Sequence, residues 1–142
     1  MRIISISETE TKNFAKKIAS KLKSGDVLAL YGDLGCGKTT FTQGLADGLG
    51  VSDQITSPTY TILKVYPLLA NKKDQLIHID CYRINKREDA ESVGLIEFLN
   101  DKSSIKVIEW PERIENILPK NAIKIHFKQI NINERDINVP LY

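Results

Sequence analysis

A chain of 142 residues fits one domain and suffices to bury a single core. Its 42% hydrophobic and 27% charged residues exclude a disordered chain, and no apolar run approaches the length of a bilayer span. A net charge of +2 is too small to argue by itself for a nucleic-acid surface.

The start of the chain, Met1 to Ile6, carries one basic residue and then turns acidic, so it does not read as a signal peptide. Two cysteines, Cys36 and Cys81, provide no disulfide framework, and a reducing cytoplasm is the simplest setting. No linker, repeat or low-complexity tract divides residues 1–142, which predicts a single domain.

Arg2 to Ser5 is a short strand candidate. Ser7 and Glu10 have capping-box spacing, and the helix they open gathers Phe14, Ala15, Ile18, Ala19 and Leu22 on one face before Gly25 ends it. Its other face, with Lys12, Lys16, Lys17 and Lys21, reads as an ordinary solvated face. Val27 to Tyr31 is a continuous apolar run, expected of a strand buried on both sides. A glycine-rich loop and a helix from about Lys38 to Leu49 follow, closed by Gly50. Further strands are expected at Thr61 to Tyr66, Leu76 to Ile79, Ile105 to Ile108 and Ile123 to Phe127, with a helix over Glu88 to Val93. The polar loop Asn71 to Asp74 predicts a hairpin between the first two of these strands. Lys106 interrupts its apolar run, which suggests a strand near a sheet edge. The alternation implies an α/β fold, a P-loop NTPase-like three-layer sandwich with a mixed, partly antiparallel sheet.

The strongest signal is Gly32-Asp33-Leu34-Gly35-Cys36-Gly37-Lys38-Thr39, a full Walker A pattern between a buried strand and a helix. Gly35, Cys36 and Gly37 let consecutive amides turn toward one centre, and the helix start aims its unpaired amides at the same point. Lys38 supplies a point charge for the β- and γ-phosphates of ATP, Thr39 a hydroxyl for Mg2+, and Thr40 a hydroxyl for the α-phosphate. A carboxylate must complete the magnesium shell. Glu109, ending Ile105 to Ile108, and Asp80, ending Leu76 to Ile79, are the candidates for holding the metal or orienting water.

Two patterns mislead. Asn71-Lys72-Lys73-Asp74 matches the guanine-reading NKxD string, and Asp47-Gly48-Leu49-Gly50 matches DxxG, yet both stand in the wrong places for a GTPase. ATP is therefore the expected nucleotide. A small-molecule kinase is the rival activity, but the five arginines (Arg2, Arg83, Arg87, Arg113 and Arg135) form no lid segment.

The phosphate loop, then Thr56-Ser57-Pro58-Thr59-Tyr60, then His78-Ile79-Asp80-Cys81-Tyr82-Arg83, then Glu109-Trp110-Pro111-Glu112 resemble, in order and spacing, the bacterial TsaE family. That resemblance covers about Ser7 to Pro119. It implies a cytoplasmic ATPase that acts with TsaB and TsaD in threonylcarbamoyl modification of tRNA adenosine beside the anticodon, meeting tRNA through the complex. It also implies that Lys38 grips phosphate, that Thr39 and Glu109 hold magnesium, that Thr11 lies by the nucleotide base, and that Asp80 and Trp110 matter for ATPase function. An alternative is a scaffold gated by nucleotide occupancy, with hydrolysis incidental. From the residues, Thr56 to Tyr60 suits a loop that senses the γ-phosphate, or equally a capped turn. Cys36 replaces the family's usual alanine. Its place near a helix N-terminus suggests a lowered thiol pKa and inhibition by thiol reagents, while its small size fits the loop and favours a harmless substitute for alanine.

Overall fold

The computed structural model describes residues 1–56, 63–68, 74–85 and 94–140. Seven strands form one mixed sheet: β1 (Arg2–Ser5), β2 (Val27–Tyr31), β3 (Leu63–Pro67), β4 (Gln75–Asp80), β5 (Ser104–Glu109), β6 (Ile123–Gln129) and β7 (Arg135–Asn138). Their order is β1-β7-β6-β2-β5-β4-β3. The helices among the described residues are α1 (Glu8–Ala19), α2 (Lys38–Leu49) and α3 (Leu95–Leu99), with a 3-10 turn at Pro111–Ile114.

The parallel core is β6, β2, β5 and β4, and its strands are the apolar runs. In β2, Val27 to Leu30 are all buried, as a strand covered on both faces requires. Leu28 and Leu30 join an apolar cluster with Phe14, Ile18, Phe41 and Leu45 from α1 and α2. Val27 faces the opposite cluster, with Ile79, Ile108, Leu95 and Leu99. The edges are antiparallel: β3 on β4, as the hairpin expectation requires, and β7 between β6 and β1.

Helix α1 begins as its capping box dictates. The Glu10 amide donates to Ser7 Oγ at 3.1 Å, and the Ile6 amide donates to the Glu10 carboxylate at 2.9 Å. The helix stops at Ala19 rather than running to Gly25. Past Ser20 the amides of Lys21 and Leu22 bond three residues back, tightening the last turn, and Leu22 still packs on the core from outside the helix. Gly50 caps α2 as expected.

The placement of Lys106 corrects the sequence reading. Strand β5 lies inside the sheet, between β2 and β4, and Lys106 is fully buried. Its Nζ donates to the carbonyls of Ser104 (3.0 Å), Gly25 (3.3 Å) and Asp101. Those bonds offset the burial that pulls its pKa down. Strand β7 was not foreseen: Arg-Asp-Ile-Asn offers one apolar residue, and only Ile137 reaches the core. The expected helix at Glu88 to Val93, the Ser57 to Tyr60 loop, Thr61 and the Asn71 to Lys73 part of the hairpin loop lie outside the described residues. No described helix is long and apolar enough to cross a membrane.

Candidate nucleotide site at the carboxyl edge of the sheet

Because β2, β4, β5 and β6 run parallel, their carboxyl ends share one edge of the sheet, where ligands of open α/β sheets collect. The double antiparallel step through β7 brings the end of β1, and hence the start of α1, to that edge as well. A cavity of about 440 Å³ opens there. It is lined by the loop residues Leu34, Gly35 and Gly37, by Lys38, Thr39 and Thr40 of α2, by the strand ends Asp80 and Glu109, and by Tyr82, Trp110, Glu8 and Arg135.

The loop's geometry follows from its glycines. Gly35 and Gly37 have φ of +80° and +101°, a region L side chains rarely adopt. A Cβ on Gly37 would also meet the Arg135 side chain at 2.7 Å. Gly37 is the N-cap of α2, no side chain caps the helix, and its first turn holds no acid. The leading amides are therefore left for an anion. Lys38 is 5% exposed, and its Nζ donates to the Gly32 carbonyl at 2.6 Å.

Thr39 and Glu109, 70 residues apart in sequence, meet across the cavity: Thr39 Oγ1 lies 3.4 Å from Glu109 Oε1. The other carboxylate oxygen lies 3.0 Å from His78 Nε2, whose ring is fully buried. A carboxylate can only accept, so Nε2 carries the hydrogen. Nδ1 of that ring finds no partner among the described residues. Asp80 is the register neighbour of Glu109 on β4, and its Oδ1 accepts from the Tyr82 amide at 3.0 Å. Thus Gly35, Gly37, Lys38, Thr39, Thr40, Asp80 and Glu109 are brought together.

Two predicted site residues stand apart. Thr11 is fully buried, its hydroxyl 2.7 Å from Ser5 Oγ and 3.2 Å from the Ser7 carbonyl, and it is Glu8, nearer the start of α1, that reaches the cavity wall. Cys36 turns its thiol inward, where it joins the core cluster. Burial pushes its pKa up and outweighs the opposing pull of Lys38, against the lowering expected at a helix start and in keeping with a harmless substitute for alanine. Besides Glu8, sequence reasoning missed His78, which stands in an apolar strand, and Arg135, on the unforeseen β7. The buried Arg135 Nε has no partner among the described residues. No pattern in the sequence distinguished Arg135 from the other arginines.

Fold and site together define an α/β protein whose glycine loop and uncapped helix start share a cavity with two strand-end acids. Residues 5–137 match the family described as "Threonylcarbamoyl adenosine biosynthesis protein TsaE". Among relatives with the name tRNA threonylcarbamoyladenosine biosynthesis protein TsaE, that of Bacillus subtilis is 41% identical over 93% of this chain and 80% of its own length. That of Borreliella burgdorferi is 44% identical over 82% of each chain, and that of Treponema pallidum 37% identical over 98% and 99%. The crystal structure of Bacillus subtilis YdiB superposes with a TM-score of 0.77 at 37% identity, covering 98% of this chain and 83% of that one. The chain belongs to the TsaE family.

Proposed function

We propose that this protein binds and hydrolyses ATP with magnesium to serve threonylcarbamoyl modification of tRNA adenosine beside the anticodon, acting in the cytoplasm with TsaB and TsaD. Family membership supports the pathway. One observation carries the chemistry: the uncapped start of α2, Lys38, Thr39 and Glu109 converge on one cavity at the carboxyl edge of the sheet. In this reading the chain is a single P-loop NTPase-like domain of three layers.

The residues fit the ligand. The α2 amides and Lys38 would hold the β- and γ-phosphates, with Arg135 offering a second cation. Thr39 and Glu109 would hold magnesium. Neighbouring oxygens around an octahedral ion bound at about 2.1 Å stand roughly 3 Å apart, close to the 3.4 Å between these two. Among the described residues no cluster of three or more acidic, histidine or cysteine ligands exists, which suits an ion that keeps waters and borrows phosphate oxygens. Bound there, magnesium would neutralise charge developing on the transferred phosphoryl group. Asp80, beside Glu109, is placed to orient the attacking water. His78 fixes the Glu109 carboxylate from behind.

Calorimetry with Mg–ATP tests the binding step, and no uptake by folded protein would sink the reading. Lys38→Ala is expected to weaken binding at least tenfold, because charge-assisted phosphate contacts are worth about 1.5–3 kcal/mol. Phosphate release by the chain alone and with TsaB and TsaD, alongside tRNA modification, tests the coupling. Repeated modification by a Glu109→Gln variant that binds ATP without hydrolysing it would favour the nucleotide-gated scaffold.

A further inference from the structure

We propose that the face of the Trp110 indole is a fixed seat for the Lys38 ammonium, aiming that charge into the cavity before any nucleotide arrives. The inference rests on the loop being a nucleotide site and assigns a positioning residue to it. Lys38 Nζ lies 4.1 Å from the centroid of the Trp110 ring. That is well inside the roughly 6 Å over which an aromatic face attracts a cation.

The surroundings explain why a ring stands there. Lys38 is nearly buried, so water solvates its ammonium poorly. Among the described residues no carboxylate forms an ion pair with it. A carboxylate in that place would neutralise the charge and compete with phosphate. An aromatic face offsets the lost hydration and leaves the charge intact. Of the three ammonium hydrogens the Gly32 carbonyl takes one, so donors remain for an anion.

The backbone indicates that this placement is held against resistance. Trp110 is the one non-glycine residue with positive φ (57°) among the described residues. The left-handed region is unfavourable for a bulky side chain, and strain of this kind collects at functional sites. The ring is only partly buried, packing against the rim of its apolar cluster on one side. Tyr82 packs on the ring with centroids 5.2 Å apart and planes tilted by 59°, restricting its motion. Without the ring the ammonium would sample other rotamers. Apparent affinity would then fall by the fraction of molecules that still present it correctly.

Trp110 is the only tryptophan in the chain, so growth on fluorinated tryptophan alters this position alone. Fluorine drains the ring face of negative charge while scarcely changing its shape. Through mono-, di- and trifluorotryptophan, the Mg–ATP dissociation constant is expected to rise stepwise, by about fivefold in all, with the melting temperature unchanged. In nucleotide-free protein the Lys38 ε-methylene protons should be shifted upfield by the ring current, and Trp110→Leu should abolish that shift. Equal affinities across the series, with normal binding by the unlabelled protein, would overturn the proposal. If the unlabelled protein took up no nucleotide, the fault would lie with the loop reading. The ε-methylene would then judge the seat by itself, an upfield shift supporting it and an unshifted resonance overturning it.

Discussion

Glu109 shows how much of this site is made by contacts that leave no mark along the chain. Its two carboxylate oxygens face different partners, the Thr39 hydroxyl and the buried His78 ring. Lys38 and Thr39 were legible because consecutive residues on a glycine loop carry their own spacing. His78 was not, because a histidine in an apolar strand reads as core until the carboxylate beside it is seen. Replacing His78 by Leu removes the donor and leaves a nearly buried carboxylate oxygen unpaired, a loss of about 1–3 kcal/mol. We expect that loss in urea unfolding, together with a fall in kcat for phosphate release and little change in KM. Gln at the same position keeps an N–H within reach and should restore most of both; equal behaviour of the Leu and Gln variants would show that the hydrogen bond is not what matters. Cys36 teaches the converse lesson. Position near a helix start argued for an acidic thiol, but burial is the larger effect.

At the scale of elements, the contact between α1 and α2 sets where the helix proposed to face phosphate lies. It is close because α2 presents glycine to α1: a Cβ on Gly44 would stand 2.5 Å from the Lys12 Cα and carbonyl oxygen, and one on Gly48 2.7 Å from the Ala19 Cβ. Helix propensity alone says that Gly44→Ala should stabilise α2 by about 1 kcal/mol. Overpacking against backbone, which cannot rotate aside, costs up to about 3 kcal/mol and should win. The expected net loss is about 2 kcal/mol, read from the urea midpoint. A variant at least as stable as the parent would mean that the helices separate freely. The boundaries of α2 were readable from the loop before it and Gly50 after it. The end of α1 was not, because Gly25 marks the turn into β2, several residues beyond the last helical bond.

Over the whole molecule, two polar clusters join elements distant in sequence, and both contribute in the same direction with pH. Arg2 on β1 donates to Asp136 on β7 at 2.8 and 2.6 Å and holds that carboxyl below its usual range. Lys124 and Tyr31 donate to Glu115 at 2.6 and 2.7 Å and lower its pKa likewise. A carboxylate with a lowered folded pKa adds stability above the ordinary carboxylate range and loses it as pH falls through the lowered value. Stability should therefore decline between about pH 5 and pH 2, and Asp136→Asn with Glu115→Gln should flatten that limb. Arg2, Glu115 and Lys124 are substantially exposed, so the effect is small and salt should reduce it too. An unchanged acid limb in the double variant would remove these pairs from the account. The chain by itself determined the strand–loop–helix of the proposed anion site, the apolar strands around it and the family, because each is written in neighbouring residues or in a local period. Only the tertiary structure decided that β5 is interior despite Lys106, that β7 exists and delivers Arg135, that His78 meets Glu109, and that the Trp110 ring lies against Lys38. Those outcomes depend on which backbone carbonyls, rings and strand edges happen to meet, and burial is a property of the folded surface rather than of any stretch of sequence.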